Sequence, residues 1–356
     1  MNKELAILQQ EAIQLLEELI RTPSFSKEEE QTAAIIGKFF AVRVIAATRV
    51  GNNVFALNKY FDPNKRTLLL NSHHDTVKPN PQYTKDPFSP LMEDRKLFGL
   101  GSNDAGGCLV SLIAAFLYFY DKKDLSYNLA VAATAEEEIS GTGGIEHVLK
   151  YLPEIDCAIV GEPTLMQLAV AERGLMVLDC TSYGKAGHAA REEGENAIYK
   201  ALENIEWFST YRFPKVSELL GPNKMTVSVI ESENKAHNVV PAVCNFVVDT
   251  RINELYSFEE VLAVIHENVQ CTVKPRSTRL RSTSINQDHP LVKAGLALGR
   301  NCYGSPTTSD KALMPFPALK MGPGDSARSH SADEYIYIDE IKKGIELYIQ
   351  LLNNLL

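Results

Sequence analysis

Carboxylates and imidazoles recur in this chain where apolar runs end. The apolar run 67–71 leads into Ser72-His73-His74-Asp75-Thr76. His73 and Asp75 are two apart, so on an extended chain their side chains point the same way. A carboxylate so placed can hold one imidazole nitrogen while the other binds a metal. For these residues alone, a solvated His-His-Asp turn is the other reading. The run 128–133 ends in Thr134-Ala135-Glu136-Glu137-Glu138. Three adjacent carboxylates at the end of a buried strand repel one another unless cations neutralise them. Solvated acidic runs usually lie on helix faces or in linkers instead. Two successive glutamates can divide the work, one binding metal and its neighbour taking a proton from water.

Three further segments extend the pattern. Gly99-Leu100-Gly101-Ser102-Asn103-Asp104-Ala105-Gly106-Gly107 opens an apolar helix. A glycine-rich loop at a helix start can cradle phosphate. Here no Lys-Ser or Lys-Thr follows, and the glycine spacing runs into Asp104, which suits a carboxylate held against a metal. Gly161-Glu162-Pro163 places another carboxylate at a strand end, and Gly322-Pro323-Gly324-Asp325 precedes Ser329-His330-Ser331. Taken singly, His330 reads as a surface histidine; taken together, His73, Asp104, Glu138, Glu162 and His330 form a set of nitrogen and oxygen ligands with no thiolate among them. One shared carboxylate would give each of two Zn²⁺ ions three protein contacts and leave room for water. Co²⁺ or Mn²⁺ suits the same donors.

The elements that must position these residues alternate. Apolar periodicity predicts a helix over 4–21, broken by Thr22-Pro23, and Ser26 with Glu29 gives a capping-box pattern opening a second helix to about residue 40. Strand-like runs follow at 53–58, 67–71 and 128–133, with a buried helix over 106–120 between the last two; this alternation predicts an α/β layer structure. From about residue 172 the order is strand (175–183), helix (197–208), strands (225–230, 242–250), helix (258–269) and strand (271–274), a split βαβ pattern. Helices over 290–301 and 339–354 close the chain. A small α+β domain, 172–281, is therefore expected as an insertion into a larger α/β domain, 1–171 and 282–356.

Composition bounds the function. The 356 residues carry a formal charge of −9, which argues against a nucleic-acid partner. The longest apolar stretch, 109–120, is shorter than the roughly 20 residues of a membrane helix. The N-terminus lacks the form of a signal peptide, and scattered cysteines without a C-x-x-C pair read as reduced thiols of a cytoplasmic protein.

In the order and spacing of these motifs the chain resembles, over essentially its whole length, the family of acetylornithine deacetylase, succinyl-diaminopimelate desuccinylase, aminoacylase and glutamate carboxypeptidase. The resemblance implies a zinc-peptidase-like catalytic domain, a mixed sheet between helices, interrupted by a ferredoxin-like lid that also dimerises. It implies that His73 binds one zinc and His330 the other, with Asp104 bridging, Glu162 beside His73 and Glu138 beside His330. Asp75 would orient His73, Glu137 would be the general base, and the Asp104–Ala105 peptide bond would be cis.

In the lid, Gly184-Lys185-Ala186-Gly187-His188-Ala189-Ala190 implies that His188 stabilises the oxyanion of a neighbouring subunit's site. Asn238 and Arg251 would hold the substrate's α-carboxylate, a bidentate task suited to a guanidinium; for Arg251 a surface pair with an aspartate is the alternative. Arg173 is open between a second substrate carboxylate and a hinge salt bridge. Gly324 is expected beside the substrate. Two departures stand out: Glu136-Glu137-Glu138 replaces the usual Asp-Glu-Glu, and Ala105-Gly106 replaces Met-Lys. Ser309-Asp310-Lys311-Ala312 and Gly324-Asp325-Ser326 look closest to the acetylornithine and acetylcitrulline deacetylase branch. The expected reaction is metal-dependent deacetylation of N-acetylornithine, or deacylation of N-acetyl- or N-succinylcitrulline, in arginine biosynthesis. Succinyl-diaminopimelate desuccinylase or dipeptidase activity is the alternative on the same scaffold, and an inactive small-molecule-binding protein is the alternative of another class.

Overall fold

In the computed structural model, which describes residues 3–356, four mostly apolar strands run parallel through the middle of one sheet. They are Asn128–Thr134, Thr67–His73, Cys157–Val160 and Ala318–Lys320, adjacent in that order. Every residue of Asn128–Thr134 and Thr67–His73 is buried, because both sheet faces are covered. Leu68, Leu70, Leu129 and Val131 face the larger apolar core, whereas Leu69, Ala130 and Ala132 face a second core with Ile145 and Val148. Antiparallel strands flank this centre: Asn53–Leu57 and Ala47–Val50 on one side, Leu168–Glu172 on the other.

The larger core is filled by the helices Lys3–Ile20, Glu30–Ala41, Gly107–Phe119, Pro290–Ala297 and Ile338–Asn353. Gly107–Phe119 is buried nearly all round. It accounts for Ser102–Phe119, the one stretch among the described residues long and apolar enough to cross a membrane, which lies inside the protein. These elements belong to a compact unit of Met1–Val170, Ile285–Tyr303 and Ser309–Leu356. A three-stranded antiparallel sheet, Leu91–Glu93, Lys96–Phe98 and Tyr335–Tyr337, brings the C-terminal loop beside the glycine-rich one.

The second unit is Ala171–Ser284 with Gly304–Thr308, so the last short segment groups outside the larger domain in which the sequence placed it. Its strands pair antiparallel in the order Lys224–Ser232, Val243–Ile252, Gly174–Tyr183, Thr272–Pro275, the ferredoxin-like arrangement. Burial alternates along the two central strands. Their buried residues, Met176, Leu178, Phe246 and Val248 among them, meet Ala201, Phe208, Val261 and Ile265 of the helices Ala197–Thr210 and Phe258–Asn268. Asn196 caps the first helix and a Ser257–Glu260 capping box starts the second.

Two local expectations are corrected. Helix Glu30–Ala41 has no side-chain cap: the Ser26 hydroxyl donates to Asp75 Oδ2 (2.7 Å) and Glu29 accepts from the Lys27 amide, so the capping box does not form. The helix from Pro290 ends at Ala297, where Arg300 N turns back to Gly295 O and closes it.

Candidate metal centre

All four parallel strands end on the same edge of the sheet, the position where open α/β sheets present their ligand-binding loops. His73 is the last residue of its strand, Glu136–Glu138 follow Thr134, and Glu162 follows Val160 by two. Asp104 comes from the turn before the central helix, with a cis bond to Ala105; His330 comes from the C-terminal loop.

Asp104 stands between the two imidazoles. Its Oδ1 lies 3.4 Å from His73 Nε2 and its Oδ2 lies 3.7 Å from His330 Nε2. Glu162 Oε1 is 3.8 Å from His73 Nε2, and the Glu138 oxygens are 3.0 and 3.2 Å from His330 Nε2. Ligand atoms of His73, Asp104 and Glu138, and again of His73, Glu137 and Glu162, lie within 4.8 Å of one another. Five residues distant in sequence thus converge, each histidine facing a different oxygen of one carboxylate.

The electrostatics point to missing positive charge. Burial pushes the Glu137 carboxyl well above its usual range; the Glu162, Asp310 and Glu138 charges add to this and His73 opposes it. Burial raises Glu162 to about 8 against the pull of Lys320, with Asp104 and Glu138 adding to it. Burial also raises Glu138, although its bond to His330 works the other way. Burial disfavours a charged His73, but hydrogen bonds to Asp104 and Asp75 raise its pKa well above the usual imidazole value. His330, more exposed, rises to about 9, mainly through its bond to Glu138. Three of these carboxylates, crowded in low dielectric, hold protons unless cations replace them, whereas burial of Asp104 is outweighed by His73, which keeps its pKa low. Asp104, Glu137, Glu138 and Glu162 match the charge of two divalent ions, and the all-nitrogen-and-oxygen donor set fits Zn²⁺, Co²⁺ or Mn²⁺.

Further groups hold these ligands in place. His73 Nδ1 lies 3.0 Å from the Asp75 carbonyl oxygen and 3.4 Å from its carboxylate, so the backbone makes the shorter contact. The Asp75 carboxylate accepts the Glu137 and Glu138 amides. Burial opposes its charge, but His73 beside it keeps its pKa low. His74 is internal, held by Thr32 and the Asn52 carbonyl, and Glu136 turns away from the cluster to accept the Gly143 amide. A Cβ on Gly141 would lie 2.6 Å from the Glu136 Cβ as well as against a carboxylate oxygen, so the close approach there suits glycine.

Sequence reasoning missed Glu334 and read Asp310 only as a branch marker. The buried Glu334 carboxylate accepts the amides of Gly101, Asn103 and Asp104 (3.2, 2.8 and 2.9 Å), fixing the loop that carries Asp104; burial raises it to about 8. Asp310 accepts from Asn71 and Thr134, joining two of the ligand-bearing strands. Neither leaves a local signature, since their partners lie far away in the chain. Gly324 has φ +87°, and a Cβ there would strike the Asn103 amide; this accounts for glycine at that turn.

The residues expected to bind substrate from 172–281 have partners within their own unit. Arg251 pairs with Asp249 on the same strand (2.7 and 3.0 Å). Arg173 donates to the Leu220 carbonyl and makes no hinge salt bridge among the described contacts. His188 is exposed and accepts the Ala190 amide through Nδ1. Asn238 is exposed on the loop before Val239–Val240, and its carbonyl accepts the Ala189 amide.

The sequence profile of peptidase family M20/M25/M40 matches residues 69–354. An acetylornithine deacetylase of Proteus mirabilis is 28% identical, the match covering 96% of each chain. A succinyl-diaminopimelate desuccinylase of Stenotrophomonas maltophilia is 27% identical over 95% of this chain and 97% of its own. A dinuclear metal-binding M20 peptidase from Bacillus subtilis superposes with a TM-score of 0.71 over 98% of each chain at 14% identity.

Proposed function

The chain belongs to peptidase family M20/M25/M40, and on that premise we propose that it is a two-metal hydrolase of the acyl–amide bond in small N-acylated amino acids, with N-acetylornithine the preferred substrate. The observation that carries this reading is Asp104, whose two oxygens face one imidazole each. In this proposal His73, Asp104 and Glu162 hold one cation, and His330, Asp104 and Glu138 hold the other. Bound cations supply Lewis acidity that polarises the amide carbonyl and makes water a better nucleophile at neutral pH.

Glu137 is the base. It takes a proton from the attacking water and returns it to the departing amine as the carbon–nitrogen bond breaks, releasing a carboxylate and an amino acid. Asp75 keeps the turn bearing Glu137 in place and His73 oriented. Asn238 and Arg251 bind the α-carboxylate of the amino acid, Arg251 exchanging Asp249 for the substrate, and His188 stabilises the oxyanion. Arg173 gives two of its five N–H donors to the Leu220 carbonyl and keeps its charge, so the substrate panel below decides between acetyl and succinyl groups. Gly324 serves the turn beside Asn103.

The resemblance assigns His188 to a neighbouring subunit's site, so the proposal includes a homodimer formed through residues 172–281. Its support is an open edge strand, Lys224–Ser232, exposing Val229 and Ile230, beside a helix exposing Tyr199 and Leu202. Such an edge invites pairing with a second copy.

The testing experiment is amine release from N-acetyl and N-succinyl forms of ornithine, citrulline and diaminopimelate, and from dipeptides, after chelation and after adding back Zn²⁺, Co²⁺ or Mn²⁺. Metal-restored cleavage of N-acetylornithine above the rest supports the proposal. A preference for succinyl-diaminopimelate or dipeptides moves it to those substrates, and no metal-dependent cleavage of the panel overturns it.

A further inference from the structure

The turn that carries Glu137 is gripped from outside by two buried carboxylates. Its three successive amides, of Glu136, Glu137 and Glu138, donate to Glu29 Oε1 (3.2 Å), Asp75 Oδ1 (3.0 Å) and Asp75 Oδ2 (3.1 Å). Both acceptors are fully buried and are tied in turn to the segment just before helix Glu30–Ala41. The Ser26 hydroxyl donates to Asp75 Oδ2 at 2.7 Å. Glu29 accepts the Lys27 amide (2.6 Å) through Oε1 and Asn52 Nδ2 (2.9 Å) through Oε2. Residues 24–26 are themselves aligned on 75–76: Thr76 N donates to Ser24 O (2.8 Å), and Phe25 bridges Thr76 in parallel.

We propose that Ser26 and Glu29 are positioning residues for Glu137, fixing the aim of its carboxylate by holding the backbone of the 136–138 turn. Hydrogen bonds to an ionised acceptor are the stronger kind, and here consecutive amides point at two of them. Asp75 serves this clamp at least as directly as it serves His73, since its carboxylate lies closer to the two amides and to Ser26 than to the imidazole. Glu136 has φ +55°, a left-handed conformation uncommon for a residue other than glycine. Ser26 and Glu29 touch no metal ligand side chain and act through the turn.

The inference rests on Glu137 as the base, and the test separates the two. Full-length, metal-loaded Ser26→Ala, Ser26→Thr and Glu29→Gln proteins are compared with the parent for kcat, KM, bound metal and amide hydrogen exchange over 134–140. Ser26→Ala removes the donor. Glu29→Gln turns an acceptor toward the Asn52 amide into a donor and tests the other arm if the serine variant is poorly folded. The expected result is a kcat lower by about 10-fold, unchanged KM and metal content, faster exchange confined to 134–140, and recovery in Ser26→Thr. Parental exchange over 134–140 in Ser26→Ala and Glu29→Gln overturns the inference, as does faster exchange spread over the whole chain with metal loss. If the parent cleaves no acyl amino acid, the proposed function fails, and local exchange over 134–140 still decides the clamp.

Discussion

The two units handle charge in opposite ways. In the first, carboxylates of Asp104, Glu137, Glu138 and Glu162 gather around two imidazoles, and three of them are pushed toward the protonated form. In the second, charges are matched locally: Arg251 with Asp249, Arg276 with Asp179, Arg281 with Glu259. Pairs of the latter kind that solvent reaches, exposed at Arg276 and Arg281 and half-buried at Arg251, contribute little stability and exchange readily. The first unit thus concentrates like charge that bound cations would neutralise, whereas these three arginines of the second each have an acidic partner close by. On the proposed function, the contrast separates a centre whose groups are able to hold metal from a surface where substrate would displace Asp249 from Arg251.

The sharpest way to break this contrast is Asp104→Ala. It should remove most bound metal and all measurable turnover; metal analysis showing two ions still bound would refute the shared-ligand assignment. Next in size, Glu137→Ala should keep its metal and lose roughly 10²–10⁴-fold in kcat, and a near-normal single-turnover rate would disprove the base. In the second unit, Arg251→Ala should raise KM by about 10-fold or more through loss of a charged hydrogen bond while leaving metal content alone. Loss of metal in that variant would mean that the two units are not electrostatically separate.

The smallest effect is on thermal stability of the chelated protein. Glu162 and Glu334 rise from an ordinary 4.5 to about 8, and His330 rises from 6.5 to about 9. A raised carboxyl favours folding while protonated, so that contribution is lost as pH rises from about 4.5 to 8. The His330 contribution is present below pH 6.5 and lost through 9. Tm of the chelated protein should therefore fall over this range, and scanning calorimetry with saturating metal should show a weaker fall or a rise, since metal competes with those protons.

Much of this was legible because it depends on local pattern. Strongly periodic helices and long buried strands, such as Lys3–Ile20 and Asn128–Thr134, announce themselves by apolar spacing. The candidate carboxylates Glu137, Glu138 and Glu162 announce themselves by lying where apolar runs stop. Ala47–Val50, Leu168–Glu172, Ala318–Lys320 and the three-stranded sheet did not, because strands of three to five residues offer few alternations, and only some of them, such as Asn53–Leu57, can be read. Ser26 shows the opposite failure: its spacing to Glu29 is a proper capping pattern, yet tertiary proximity to Asp75 takes the hydroxyl elsewhere. Glu334 reaches amides more than 200 positions away, and no window of sequence contains both ends of such a contact.

Helix Gly107–Phe119 begins three residues after Asp104 and is enclosed by apolar neighbours along nearly its whole length. It has little freedom to slide or tilt, because close-packed interiors transmit small displacements. The packing of Leu112, Phe116 and the helices against them therefore joins Glu334 in holding the carboxylate between the two histidines. Substitutions there should be felt as altered metal retention at a distance of several turns, so a screen for weakened metal binding ought to return buried hydrocarbon positions alongside the ligands.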